Sequence, residues 1–458
     1  MNIDKHFTIG KLIKFSIPTI IMLIFSSIYG VVDGLFVSNV VGDTAFSAVN
    51  LILPYVMILA VFGFMFGTGG GALISKTYGE GDIHKGNQYF TMIMETILVF
   101  GVVCTLIGYF TIEPMAKLLG ANEAMLPYVI EYGKLTACFI LFLMVQYAFQ
   151  SLMVVAQKPM LGFFFTVLAG LVNIFGDFLC VYVLKMGVKG AALATGLSQI
   201  VGSLLPVLYI IFSKTNSSPL KFTKPCFEIK PIIKASSNGL SEMVTNVSMS
   251  LVNMLFNAQL MKYIGQNGVT AFGIIMYVGF IFTGVYFGFA TGIAPIIAYQ
   301  YGAKNYAELR SLFKKSLWIY LGFSLVLASL SIALARPLAS AFIRDNEELL
   351  SLSTKALRLY SISYYFAGFN IFISSFFTDL NNGFVSGVVS LARTFVFQII
   401  FIYVLPLILG EIGLWLCITF SEILSDFVSL YFVIKKEKTY HYFRIYVPND
   451  ENKQLKNS

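Results

Sequence analysis

The stretch Asn173-Ile-Phe-Gly-Asp-Phe178, with Gly187-Val-Lys-Gly-Ala191 and Thr195 behind it, decides how the chain is read. Asn173 and Asp177 stand four residues apart inside a long apolar run, so a helix puts them on one face. Asp177 precedes the Lys185–Lys189 loop by about seven residues, and Thr195 follows it by about as many. If the loop joins antiparallel helices rising ~1.5 Å per residue, both groups lie ~10 Å below it. Asp33, in the first apolar run, sits at a similar distance from the Gly42-Asp43 turn. A carboxylate inside a bilayer is costly and needs a partner or a job. Two carboxylates, an amide and a hydroxyl are thus expected in one plane, an oxygen-rich set suited to a cation.

The rest of the chain supplies the bilayer. Of its 458 residues 57% are hydrophobic and only 12% charged, where soluble domains carry about a quarter charged. Apolar runs longer than ~18 residues recur along nearly the whole length, the mark of an all-α polytopic membrane protein. Met1–Lys14 lacks a short apolar core ending in a cleavage site, so the first run is expected to be a retained helix. The five cysteines are scattered without metal spacing and read as packing. The net charge of +8 sits mostly in loops, which fits anchoring against anionic lipid better than binding nucleic acid.

Twelve spans are expected near 13–40, 45–75, 88–112, 125–156, 160–184, 190–213, 232–262, 268–299, 309–334, 349–379, 384–409 and 411–434. The polar segment 214–231 separates an N-terminal set of six (1–213) from a C-terminal set (232–435), and 436–458 form a charged tail. Of the basic residues, 21 fall on the N-terminal side of the membrane, 9 on the other, and Arg393 within a span. That asymmetry places both termini in the cytoplasm.

The halves are related by a shift of 223 residues. It lays Phe64-Met-Phe-Gly-Thr-Gly69 on Phe287-Gly-Phe-Ala-Thr-Gly292, Tyr78-Gly79 on Tyr301-Gly302, Gly42 on Gly265, and Gly187 and Gly190 on Gly410 and Gly413. Six spans per half insert the same way up, and such parallel repeats commonly hold substrate between them. Under the same shift Asp33, Asn173, Asp177 and Thr195 fall on Phe256, Val396, Ile400 and Ile418. The polar set therefore belongs to the first half alone, which reads as the coupling lobe beside an apolar and aromatic partner lobe.

With two six-helix lobes around a central cavity and these residues, the chain resembles the multidrug and toxic compound extrusion (MATE) antiporters over about residues 10–435. The most specific pieces are Tyr29-Gly-Val-Val-Asp-Gly-Leu-Phe-Val37, Pro18 fifteen residues before Asp33, Asn173-x3-Asp177, Gly190-Ala-Ala-x3-Thr195 and the paired Tyr-Gly turns. The resemblance implies an antiporter, sufficient as a monomer, that exports organic cations against Na+ or H+; the composition fits a bacterial cell membrane. It implies that Asp33, Asn173, Asp177 and Thr195 hold the coupling ion, and that the helix bends at Pro18 with the occupancy of Asp33. Other members use a carboxylate pair in spans 7 and 10; here Glu242 supplies the first and only Asp379, near the end of its span, the second.

Further candidates come from the residues themselves. Glu95, Glu242 and Glu422 are acids within spans that could face a cavity and attract cations, and Tyr29, Tyr55, Tyr277 and Tyr286 could line a pocket for flat cations. Gly187-x2-Gly190 reads as a turn, and the glycines at 67, 69, 70 and 71 as close helix packing. Sodium would find hard oxygen ligands in the four-residue set, and a proton could equally neutralise the carboxylate pair. No cofactor is implied. A flippase for a lipid-linked precursor is the rival transporter reading, but its cavity would be strongly cationic, whereas the buried charges here are mainly acidic. An enzyme is disfavoured because His6, His84 and His441 all lie outside the spans and no paired metal motif occurs.

Overall fold

The structure, a computed structural model, describes residues 6–213, 218–226, 228–343 and 346–443, except for the side chains at 29, 31, 34, 35, 38, 39 and 43. Parts of the expected linker (214–217 and 227) and most of the tail (444–458) lie outside the described residues. Twelve helical rods follow in order: α1 (Ile9–Phe36), α2 (Thr44–Gly79), α3 (Ile83–Leu118), α4 (Leu126–Ala137 and Ile140–Val155), α5 (Pro159–Val183) and α6 (Val188–Phe212). The second set is α7 (Ile229–Tyr263), α8 (Gln266–Gly302), α9 (Tyr306–Ala333), α10 (Glu347–Ser361 and Tyr364–Asp379), α11 (Gly383–Leu409) and α12 (Glu411–Tyr440).

Among the described residues nine of these helices are long and apolar enough to cross a membrane, ten if the two parts of α4, bent by 58°, form one span. The other two expected spans depart for physical reasons. α10 is interrupted at Ile362-Ser363. α7 carries Asn238, Ser241, Thr245 and Ser248, all buried and spaced three or four apart. That stripe faces protein rather than lipid, which lowers the mean hydropathy without removing the helix. Some ends also run past the apolar runs. α3 begins at Ile83, not 88, because the Asp82 carboxylate caps it by accepting from Lys85 N at 2.9 Å.

Backbone geometry repeats with the sequence. Gly42 and Gly265 both have positive φ (116° and 85°), as do Gly187 and Gly410 (62° and 58°), in the loops that start α2, α8, α6 and α12. A side chain there would be strained, so the glycines are set by the turn.

The two lobes meet tightly on the side of the termini. α1 runs down α8 of the other lobe along Gly284, Gly288 and Gly292. A Cβ added to Gly288 would lie 2.4 Å from Ile20 Cα, and one on Gly292 2.7 Å from Ser16 Oγ. Such small-residue stripes let helices approach where lipid offers no hydrophobic drive for association. Gly69 similarly meets the Ala235 carbonyl of α7, confirming close packing at that glycine run. Asn238 Nδ2 donates to Asn381 Oδ1 (2.6 Å) within the C-terminal lobe, and Asn381 Nδ2 reaches across to donate to the Ala72 carbonyl of the other lobe (3.3 Å).

Candidate functional site

The four residues singled out in the N-terminal lobe do come together. α5 and α6 approach closely because Gly176 packs on Ala194 and Gly190 on the Cys180 backbone, where added Cβ atoms would come within 2.8 and 2.9 Å. Gly190 is therefore more than part of a turn. Thr195 Oγ1 donates to Asp33 Oδ1 at 3.4 Å, and Asn173 Nδ2 to Thr195 Oγ1 at 3.4 Å. Asp177 faces the Asp33 carboxylate from α5. Asn173 and Asp177 are buried, 1% and 0% exposed. Immediately after Asp177 the helix widens into a π-helical turn, Phe178–Val183, a distortion that recurs at functional sites.

One further group joins them. The Tyr132 hydroxyl, from the first part of α4, faces Thr195 and both carboxylates. The oxygens are unevenly served: Asn173 Oδ1 and both oxygens of Asp177 have no hydrogen-bond partner from the protein. All three are acceptors. Buried acceptors left unpaired cost free energy that a bound cation or proton recovers.

Between the lobes lies a cavity of about 400 Å3 lined by Met57, Phe64, Tyr147, Glu242, Phe280 and Phe287, among others. Phe64 and Tyr147 stack at 4.0 Å between centroids. Its continuation reaches Asn50 and Asn253, near the ends of α2 and α7 away from the chain termini. Glu242 also shares a narrow pocket with the buried Asp379, so the carboxylates of spans 7 and 10 do face one space despite the position of Asp379 at its helix end.

The other cavity candidates scatter. Tyr286 and Glu422 line a smaller cavity inside the C-terminal lobe, where the Tyr286 hydroxyl donates to the Tyr364 carbonyl at 2.8 Å. Three more line neither of these cavities. Tyr55 is turned toward α3, its hydroxyl bonded to Thr111. Glu95 is exposed on α3. Tyr277 stacks on Phe342 beyond the lobe interface. In each case the residue lies on the helix face turned away from the partner lobe, which apolar periodicity alone does not reveal. The Tyr29 side chain lies outside the described residues. Pro18 is buried within α1, which continues through it as helix.

Two six-helix lobes, joined on one side and enclosing a cavity between them, with the half-buried Asp33 and the buried Asp177 gathered inside one lobe, define a polytopic membrane transporter. The MatE family profile matches residues 18–179 and again 242–404, and the chain belongs to that family. It is 26% identical over 315 residues to the multidrug export protein MepA of Staphylococcus saprophyticus, spanning 68% of each chain. A crystal structure of MATE in complex with MaL6 superposes with a TM-score of 0.89 at 20% identity, covering 95% of this chain and 98% of that one. An outward-facing conformation of a multidrug resistance MATE family transporter gives 0.87 at 22% identity over 94% and 96%.

Proposed function

We propose that the chain is a multidrug exporter driven by cation antiport, taking organic cations from the cytoplasm in exchange for Na+ or H+. The observation that carries this reading is the set of buried, unpaired acceptors on Asp177 and Asn173 beside Asp33. Asp33, Asn173, Asp177 and Thr195 would bind the coupling ion, with Tyr132 closing the set. The export of drugs is supported by the likeness to MepA and by the central cavity, whose aromatic and methionine walls and lining acid Glu242 suit flat cations.

Coupling requires that ion and cargo favour different states, since a ligand shifts an equilibrium only by its differential affinity. α1 is the natural carrier. It holds Asp33 against α5 and α6 while packing on α8 of the other lobe, so a change at Asp33 is felt across the interface. Pro18, on the α8-facing stretch, lacks the N–H of a regular helix and is the weak point where α1 would bend. Both termini would lie in the cytoplasm, and a single chain contains both lobes and the cavity. The acid in the central cavity speaks against the pyrophosphate of a lipid-linked precursor as cargo.

Ethidium binding to the purified full chain tests the reading. Raising sodium or lowering pH should weaken dye binding in the wild type and leave Asp177→Asn unaffected. Dye binding by the wild type that ignores both ions would overturn it.

A further inference from the structure

The first helix of each lobe starts on the other lobe. Just before α1, Phe7 lies on α9: its N–H donates to Glu308 Oε1 (3.0 Å) and its carbonyl accepts from Lys315 Nζ (2.5 Å). The His6 ring stands between the same two groups, with Nδ1 2.5 Å from Glu308 Oε2 and Nε2 3.2 Å from Lys315 Nζ. Just before α7, the linker lies on α3. Cys226 Sγ reaches Met92 Sδ at 4.0 Å, and Glu228 faces Lys85. Lys85 and Met92 are the residues that the 223-residue shift lays on Glu308 and Lys315. The repeat therefore extends to a pair of reciprocal straps that occupy equivalent places and use different chemistry.

The two straps are not equally firm. The linker before α7 is held by the N-terminal lobe along its length. Lys221 N–H donates to Asn87 Oδ1 (2.9 Å), Thr223 N–H donates to Thr91 Oγ1 (3.0 Å), and Leu220 is fully buried. Phe222 packs on Phe90 with ring centroids 4.8 Å apart. The equivalent of Phe90 is Phe313, which receives Tyr442 from behind α12 at 4.9 Å. The linker thus closes the aromatic end of one lobe as Tyr442 closes that of the other, and lifting it would expose apolar surface to water. The α1 strap has one apolar anchor, the ring of Phe7. Its other contacts involve the exposed His6 and the half-buried Lys315, for which water substitutes at small cost.

We propose that the α1 strap is a releasable latch on the termini side of the cavity, and that the α7 strap is a permanent joint. While the lobes meet on that side, Phe7 rests on α9 and Asp33 rests in its own lobe. Parting the lobes there pulls the two ends of α1 in opposite directions. Release of Phe7 frees the segment before Pro18 to follow its own lobe. The linker meanwhile stays on α3, and α7 turns from its start. The inference shares with the export reading only the parting of the lobes on the side of the termini. Its test uses neither dye nor ion gradient, so the two readings fail separately.

Spin labels at His84→Cys on α3 and Lys438→Cys on α12, both exposed, report the distance between the lobes on that side. They are placed in the full chain, with its native cysteines replaced, and read in liposomes by pulsed dipolar spectroscopy. Glu308→Ala and Lys315→Met, made separately, should each raise the ratio of long to short distances about tenfold, as expected for one lost hydrogen bond to a charged group. Thr91→Val, which removes the acceptor for Thr223, should leave the distribution unchanged. A distribution that ignores either α9 substitution would overturn the latch. A shift of equal size in Thr91→Val would overturn the division of roles between the straps.

Discussion

Gly79 and Gly302, equivalent positions of the two repeats, make the same contact twice across the lobe interface. A Cβ on Gly79 would lie 2.0 Å from the Tyr299 carbonyl oxygen, and one on Gly302 2.0 Å from that of Lys76. Tyr299 and Lys76 are themselves 223 residues apart, so each helix end presses on the counterpart of its own neighbour. Exchange of contacts in this manner is what a two-fold axis requires. The contact seals the cavity on the side of the termini and leaves no room for a side chain.

Substituting either glycine should hold that side open. In Gly302→Val, a maleimide added from the side of the termini should label a Ser375→Cys probe several-fold faster than in the glycine parent, with export lost. Ser375 lines the narrow pocket just inside the seal. Unchanged labelling would mean the lobes accommodate the bulk without parting.

Asp177→Asn should separate stability from activity. The wild-type carboxylate is fully buried with both oxygens unpaired. Neutralising it removes a desolvation cost and should stabilise the detergent-solubilised protein by about 1–3 kcal/mol, seen as a higher midpoint in a thermal scan. Gradient-driven export should meanwhile fall to background. A loss of stability in parallel with activity would argue for a structural carboxylate.

Asn370→Ala should do the opposite. Its side chain bridges Glu422 and Ser429 inside the C-terminal lobe, donating to one and accepting from the other. Removing it strands a buried carboxylate and a hydroxyl and should cost about 2–3 kcal/mol in thermal or denaturant unfolding. A variant as stable as the wild type would show that these groups find other partners.

The start of α1 offers a fourth test. Phe7 is 2% exposed; its N–H donates to Glu308 Oε1 at 3.0 Å and its carbonyl accepts from Lys315 Nζ at 2.5 Å, both on α9. The helix that carries Asp33 is thereby strapped to the other lobe. Phe7→Ala should destabilise by about 3 kcal/mol and reduce coupled export more than dye binding. Intact export at normal coupling would confine the strap to folding.

Much of this was legible beforehand, and the misses follow a pattern. The helical rods, the repeat and the convergence of Asp33, Asn173, Asp177 and Thr195 rest on periodicity and constant spacing, which a linear sequence preserves. Tyr132 was missed because it reaches the site only through the bend between Ala137 and Ile140, which no proline marks. Glu422 was named from the sequence, but its meeting with Arg393 and Asn370 was not, because the three come from different spans with no shared spacing and only the packing of α10, α11 and α12 joins them. Tyr55 and Tyr277 were misplaced for a related reason: composition locates a residue in a helix, but tertiary contacts decide which face it lies on.

The central claim is that ion flow through the N-terminal site drives cargo outward. Proteoliposomes loaded with ethidium, under a sodium gradient or a proton gradient imposed separately, test it most directly on the wild type and Asp177→Asn. The account predicts uphill dye movement in the wild type under at least one gradient and none in the variant, with dye binding retained. Export by Asp177→Asn at the wild-type rate, or a wild type that moves no dye under either gradient, would contradict it.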